Sequence, residues 1–297
     1  TSAGSRSKYY ATTNTIGKFN DLDDSSSPCE SHKTFKDLKI SGKSAFIPYI
    51  TAGDPDINLS QKILNALPEG GADIIEIGMP FSDPMADGPA IQQSSLRALN
   101  NGQDMKKTFS MIKNFRITND YTPIILMGYY NPIFQFGVKN FLQQCDLIGI
   151  DGLIIVDLPI EHNEELSLPA KEMGIDFINF ITPTTSPERL KNILKVSSGF
   201  LYYVSIAGIT GTKAPDIKKL KNMIDKIKTY TDIPIGVGFG IKDSEQVKNI
   251  SQFSDAVVVG SAIVQKIKNL REENFKDDDL VTSLISYLLD LSSGLNT

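Results

Sequence analysis

Between Ile74 and Gln93 the chain reads IIEIGMPFSDPMADGPAIQQ, which sets three carboxylates, Glu76, Asp83 and Asp87, at and just beyond the end of an apolar run. Ile74, Ile75 and Ile77 surround Glu76, and Glu has no turn-forming role that would place it inside such a run. Burial raises the pKa of a carboxyl toward working pH, which suits it to general acid/base catalysis. Pairing with a buried cation is the structural alternative for Glu76. Asp83, in SDP, is accounted for by an Asx-type turn. Asp87, in MADGPA before Gly88, reads equally as a turn residue and as a chemical one. Asp157, in VDLP, reads mainly as a cap or brace for the loop that follows it.

The elements that must position these groups repeat along the chain. From residue 33, short apolar runs followed by Gly, Pro or Thr alternate with amphipathic segments, the pattern of βα units. Eight strands are expected, at 45–51, 74–78, 124–127, 152–156, 177–181, 200–204, 235–237 and 256–259. Helices are expected near 58–68, 104–116, 137–147, 162–173, 187–196, 215–229, 243–250 and 277–292. Ser186 before Pro187 and Glu188, and Asp243 before Ser244 and Glu245, are readable N-caps. The strands are apolar without alternation, as in a parallel sheet buried on both faces. The fold expected is α/β, a (β/α)8 TIM barrel over 33–297 with an N-terminal extension. A doubly wound open sheet is the runner-up.

Catalytic groups of a barrel stand at the C-terminal ends of its strands and in the loops after them. Those ends are Thr51, Glu76, Met127, Asp157, Thr182, Ser205, Gly238 and Gly260. None is a Lys, which argues against a Schiff base, and no ligand spacing indicates a metal. The two histidines do not supply a centre. His32 lies in the N-terminal extension, and His162 reads as an exposed helix-start residue. A net charge of -5 without a Lys/Arg-rich block leaves no footprint for nucleic acid. No run of 18 apolar residues could span a bilayer. Cys29 and Cys145 allow at most one disulfide, so a reducing compartment is the default reading.

Two further features concern a ligand. SIAGITGT (205–212), GFG (238–240) and GSAIVQKI (260–267) follow three consecutive strands, and the last has the form of a strand, a Gly-Ser turn and a helix start. Backbone N–H groups and the helix dipole there favour an anion, and barrels repeatedly hold phosphate after strands seven and eight. Aromatic side chains also cluster at strand ends. Most are read as core, but Tyr49, Tyr202 and Phe239 stand where a flat apolar ligand would lie between the carboxylates and the phosphate site.

Residues 1–32 differ in composition from the rest. TSAGSRSKYYATTNTIGKFN contains no acid, and DLDDSSSPCESH is polar and of low complexity, so this segment is expected to be disordered. Its first half is similar to part of an organelle transit peptide, although no intact targeting signal is recognisable. The expected location is plastid (chloroplast) if the segment is a transit-peptide remnant, and cytoplasmic otherwise.

Taken together, IEIGMPFSDPMADGPAIQ, PYITAGDPD, GYYNPI, DLP, ITGT, GFGI and VGSAIV occur in an order that resembles the tryptophan synthase alpha subunit family over roughly residues 34–290. The resemblance implies a TIM-barrel lyase that cleaves indole-3-glycerol phosphate to indole and glyceraldehyde 3-phosphate by retro-aldol reaction. It further implies an α2β2 complex with a beta subunit, no cofactor in this chain and pyridoxal phosphate in the partner. Carried over by motif, Glu76 is the catalytic acid/base and Asp87 the carboxylate on the indole N–H. Phosphate-binding positions fall on Gly211, Gly240, Gly260 and Ser261, and the indole pocket on Tyr49, Met127, Tyr202, Thr210 and Phe239. The loops at 80–93 and 207–215 look like the family's mobile lid and beta-contacting surfaces. Ile206 stands where many bacterial members carry a basic residue, which leaves the tuning of lid closure open. A stand-alone indole-3-glycerol-phosphate lyase without a beta partner, and a noncatalytic phosphate-binding barrel, are the competing readings.

Overall fold

The computed structural model describes residues 30–204, 217–238 and 240–296. Its strands are β1 (Ala45–Thr51), β2 (Ile75–Gly78), β3 (Ile124–Gly128), β4 (Gly152–Ile155), β5 (Asp176–Phe177), β6 (Asn179–Ile181), β7 (Leu201–Val204), β8 (Ile235–Gly238) and β9 (Ala256–Val259). All pairings are parallel, in the order β5-β4-β3-β2-β1-β9-β8-β7-β6. The two end strands of that order are separated in the chain only by Ile178. The fifth expected strand is therefore present as two pieces, β5 bonded to β4 and β6 bonded to β7, and through it the barrel closes. The interruption falls where the ladder changes neighbours, since Ile178 N still donates to Leu153 O at 2.9 Å on the β4 side.

Helices are α1 (Glu30–Ile40), α2 (Ile57–Ala66), α3 (Pro89–Asn100), α4 (Met105–Arg116), α5 (Tyr130–Phe136), α6 (Val138–Ile148), α7 (Ser167–Glu172), α8 (Pro187–Val196), α9 (Ile217–Lys228), α10 (Ser244–Ser251), α11 (Ser261–Glu272) and α12 (Asp277–Ser293). Ser186 and Asp243 cap as read, accepting from Arg189 N and Gln246 N. Four helical regions depart from expectation, and in one of them the helix expected near 162–173 is a 3-10 helix over Ile160–Glu165 followed by the short α7. Residues 1–29 lie outside the described residues, but Glu30, Ser31 and His32, placed in a disordered extension from composition, begin α1. The last five residues of the 80–93 loop are the start of α3, and α5 follows β3 after Tyr129 alone.

Alternate residues of each strand point to opposite faces, and two cores result. Outward residues such as Phe46, Ile75, Leu126, Leu153 and Val257 pack with the helices. Inward residues Ala45, Ile47, Ile74, Ile125, Ile154, Ile178, Phe200, Ala256 and Val258 fill the barrel together with Phe35 of α1. Phe35 lies 5.7 Å from the Phe200 ring. At the same end Asp176 accepts from Ser31 Oγ at 2.7 Å and lies 3.2 Å from His32 Nε2. Helix α1 thus plugs the N-terminal end of the barrel and leaves the C-terminal end as the mouth.

Candidate active site

Strand β2 sends Glu76 and Gly78 inward, continuing the alternation from Ile74 just before it. Glu76 sits above Ile74 and is 1% exposed. Its Oε2 has no hydrogen-bond partner among the described residues. Burial, and secondly the negative charge of Asp87, lift its pKa to about 8. Among the described residues no cation pairs with Glu76. At neutral pH the group is mainly the protonated acid.

The loop from Met79 to Gly88 brings Asp87 toward it. This aspartate is half-buried, and burial raises its pKa to about 6 against the lowering effect of a hydrogen bond from the Tyr129 hydroxyl. The same hydroxyl accepts from Ala86 N at 3.0 Å. Asp83 is exposed and lies in a turn, but the turn bond from Met85 N goes to its backbone carbonyl while its carboxylate accepts from Ser82 Oγ at 2.5 Å, so the side chain does not make the Asx-type turn expected of it. Asp157 Oδ1 accepts from Tyr130 N at 2.7 Å, so it braces the start of α5, earlier in the chain, rather than the loop that follows it. His162 is exposed in a 3-10 helix and meets Glu165.

The expected pocket residues are gathered at the mouth where they are described. Tyr49 on β1 is the register partner of Glu76, and its hydroxyl lies over Gly78, where an added Cβ would sit 2.0 Å from it. Tyr202 on β7 covers Gly238 in the same way, at 2.3 Å, and packs 5.2 Å from Phe180. Both tyrosines need a glycine on the neighbouring strand for room. Met127 is partly exposed above the inner core. Gly238 and Val258 are register partners, so the loops after β8 and β9 leave the same rim. Gly240, at φ 70°, has open space where a side chain would be. Gly260 is the N-cap of α11, and Ser261 begins it. Helix geometry leaves the first N–H groups of α11 free to meet an anion. Gly211, Thr210, Phe239 and Ile206, with the 207–215 loop, lie outside the described residues.

Two groups receive no role of their own from the sequence. Thr51 Oγ1 joins the Tyr49 hydroxyl (3.1 Å) to Ser94 Oγ of α3 (2.6 Å). Tyr129 reaches Asp87 because β3 extends to Gly128, one residue beyond the expected end. The pair Tyr129-Tyr130 directly after a Gly was the available signal. Among the described residues, no three His, Cys, Asp or Glu side chains converge as metal ligands, and no helix is long and apolar enough to cross a membrane.

Fold and site together define a (β/α)8 barrel with a carboxylate centre at its C-terminal mouth. The family model described as tryptophan synthase alpha chain matches residues 35–287. Tryptophan synthase subunit alpha of Legionella pneumophila strain Paris is 37% identical, with 90% of this chain and 98% of that one covered and a TM-score of 0.84. A chain of Mycobacterium tuberculosis tryptophan synthase is 30% identical, with coverages of 91% and 99% and a TM-score of 0.81. The chain belongs to the tryptophan synthase alpha chain family, a family of lyases.

Proposed function

We propose that Glu76 and Asp87 carry out the retro-aldol cleavage of indole-3-glycerol phosphate to indole and glyceraldehyde 3-phosphate. The observation behind this reading is the buried carboxyl of Glu76, whose Oε2 has no hydrogen-bond partner among the described residues, held near pKa 8 beside a second carboxylate. Protonated Glu76 gives its proton to indole C3, which places positive charge on the ring. As carboxylate, it then takes the proton of the side-chain hydroxyl next to the breaking bond. The carbonyl of glyceraldehyde 3-phosphate forms, the C–C electron pair returns to the ring, and Glu76 is again protonated. Ionised Asp87 stabilises the ring charge from the indole N–H.

The phosphate is assigned to Gly211, Gly240, Gly260 and the Ser261 end of α11, and the indole to a slot between Tyr49, Met127, Tyr202, Thr210 and Phe239. The partner proposed is a tryptophan synthase beta subunit in an α2β2 complex, met through the 80–93 and 207–215 loops. Pyridoxal phosphate belongs to that partner, and the chemistry above uses none. Plastid location rests on the composition of residues 1–20 alone, and a fluorescent fusion of that segment tests it.

The test is indole release from indole-3-glycerol phosphate by wild type, Glu76→Gln and Asp87→Asn, with and without a beta subunit. Glu76→Gln activity within tenfold of wild type would remove the acid/base assignment. Rapid turnover that a beta subunit leaves unchanged would favour the stand-alone lyase.

A further inference from the structure

Loop two, residues 79–88, follows the strand that carries Glu76. Its internal hydrogen bonds are local turns, Met85 N to Asp83 O at 2.9 Å and Asp87 N to Pro84 O at 3.0 Å. Among the described residues, the bonds that tie 80–87 to anything else run to Gln92 of α3 and to Tyr129. Tyr129 is well placed for this. Strand β3 pairs with β2, Gly78 lies across from Met127, and Met79 N donates to Met127 O at 2.8 Å, so Tyr129 emerges beside the loop's first residues. Its side chain is buried. Its ring packs 5.3 Å from Phe81, near the start of the loop, and its hydroxyl accepts from Ala86 N near the end. A phenol has one proton to give and can accept as well; with its oxygen accepting from Ala86 N, the Tyr129 proton is available to the neighbouring Asp87 carboxylate, whose pKa it works to lower. One side chain therefore holds both ends of the loop.

We infer that Tyr129 is the positioning residue of loop two, holding Asp87 toward the barrel mouth in its ionised form. The catalytic part of this inference rests on the role proposed for Asp87. The hydrogen bond is strongest to the charged carboxylate, so the pin is tightest in the state the chemistry needs. Tyr129 does not touch the reacting atoms and acts through Asp87.

The experiment uses Tyr129→Phe in the full chain, which keeps the ring against Phe81 and removes the hydroxyl. Aspartate labelled with 13C at the carboxyl is titrated by NMR, and the signal lost in Asp87→Asn identifies the residue. Losing a donor to the charged form raises a carboxyl pKa, so Asp87 is expected to titrate at higher pH in Tyr129→Phe than in wild type. The rate of indole release is expected to fall about tenfold, the size of one charge-assisted hydrogen bond, with the acid limb of the pH profile moving the same way. An unmoved Asp87 titration overturns the inference, as does a rate loss that follows a lower melting temperature without any shift. A wild-type chain that releases no indole would sink the proposed reaction, while the NMR titration would still decide the role of Tyr129.

Discussion

Tyr49 and Glu76 lie directly across from one another on β1 and β2, so phenol and carboxyl leave the sheet inward at the same height. The Tyr49 hydroxyl nevertheless turns to Thr51, at 3.1 Å, and through it to Ser94 of α3. Glu76 is left with a ring beside it and, among the described residues, an unpartnered Oε2. Its proton affinity is therefore set by desolvation first and by Asp87 second.

The pH profile of the chain follows from these two groups. In the proposed reaction Asp87 is ionised and Glu76 protonated when substrate binds, with pKa values of about 6 and about 8. The profile of kcat/KM is expected to be bell-shaped, rising through about 6 and falling through about 8. In Glu76→Asp the alkaline limb should move. A limb near 8 that stays in place in Glu76→Asp would assign it to another group.

Glu76→Gln should lose catalysis and gain stability. General acid/base groups contribute roughly 100- to 10,000-fold, and a loss in that range is expected. The folded pKa of Glu76 lies above its ordinary 4.5. Stability from this group is complete below 4.5 and is lost as pH rises toward about 8, at up to about 1.4 kcal/mol per pH unit. The neutral Gln escapes that loss. Thermal melts at pH 8 should place Glu76→Gln several degrees above wild type, and the difference should disappear near pH 4.5.

Gly78→Ala tests the space reserved for Tyr49. The new Cβ would lie 2.0 Å from the Tyr49 hydroxyl, so the ring must swing out of the wall of the mouth. Overpacking of this kind costs about 1–3 kcal/mol, and KM for indole-3-glycerol phosphate should rise. Gly78→Ala/Tyr49→Ala should recover part of the stability. No recovery would show that the strain lies elsewhere.

Arg97→Ala tests how loop one is fixed to α3. Arg97 donates to both oxygens of Asp54 at 2.7 and 2.9 Å, and the Asp54 side chain is 2% exposed. Removing the cation strands a buried carboxylate, at a cost of about 3–5 kcal/mol. Denaturant melts of Arg97→Ala and Asp54→Asn/Arg97→Ala check this. The double variant should be the more stable of the two, because it no longer buries a charge.

The sequence alone determined the βα alternation, because buried parallel strands such as AVVV and helices with readable caps at Ser186 and Asp243 announce themselves locally. It also marked Glu76, since a lone acid within isoleucines has no local explanation. Helix α3 was not legible, because its buried face is Ser94, Ser95 and Ala98, and small hydroxyl side chains carry no hydrophobic period. Asp83 and Asp87 sit in similar turn sequences and differ only in surroundings, one exposed and the other half-buried against Tyr129. Those surroundings are made by β3, some forty residues further along the chain. Burial and hydrogen-bond partners set a carboxyl's proton affinity, and both depend on which strands lie side by side. That pairing, and with it the role of Tyr129, was decided only by the closed barrel.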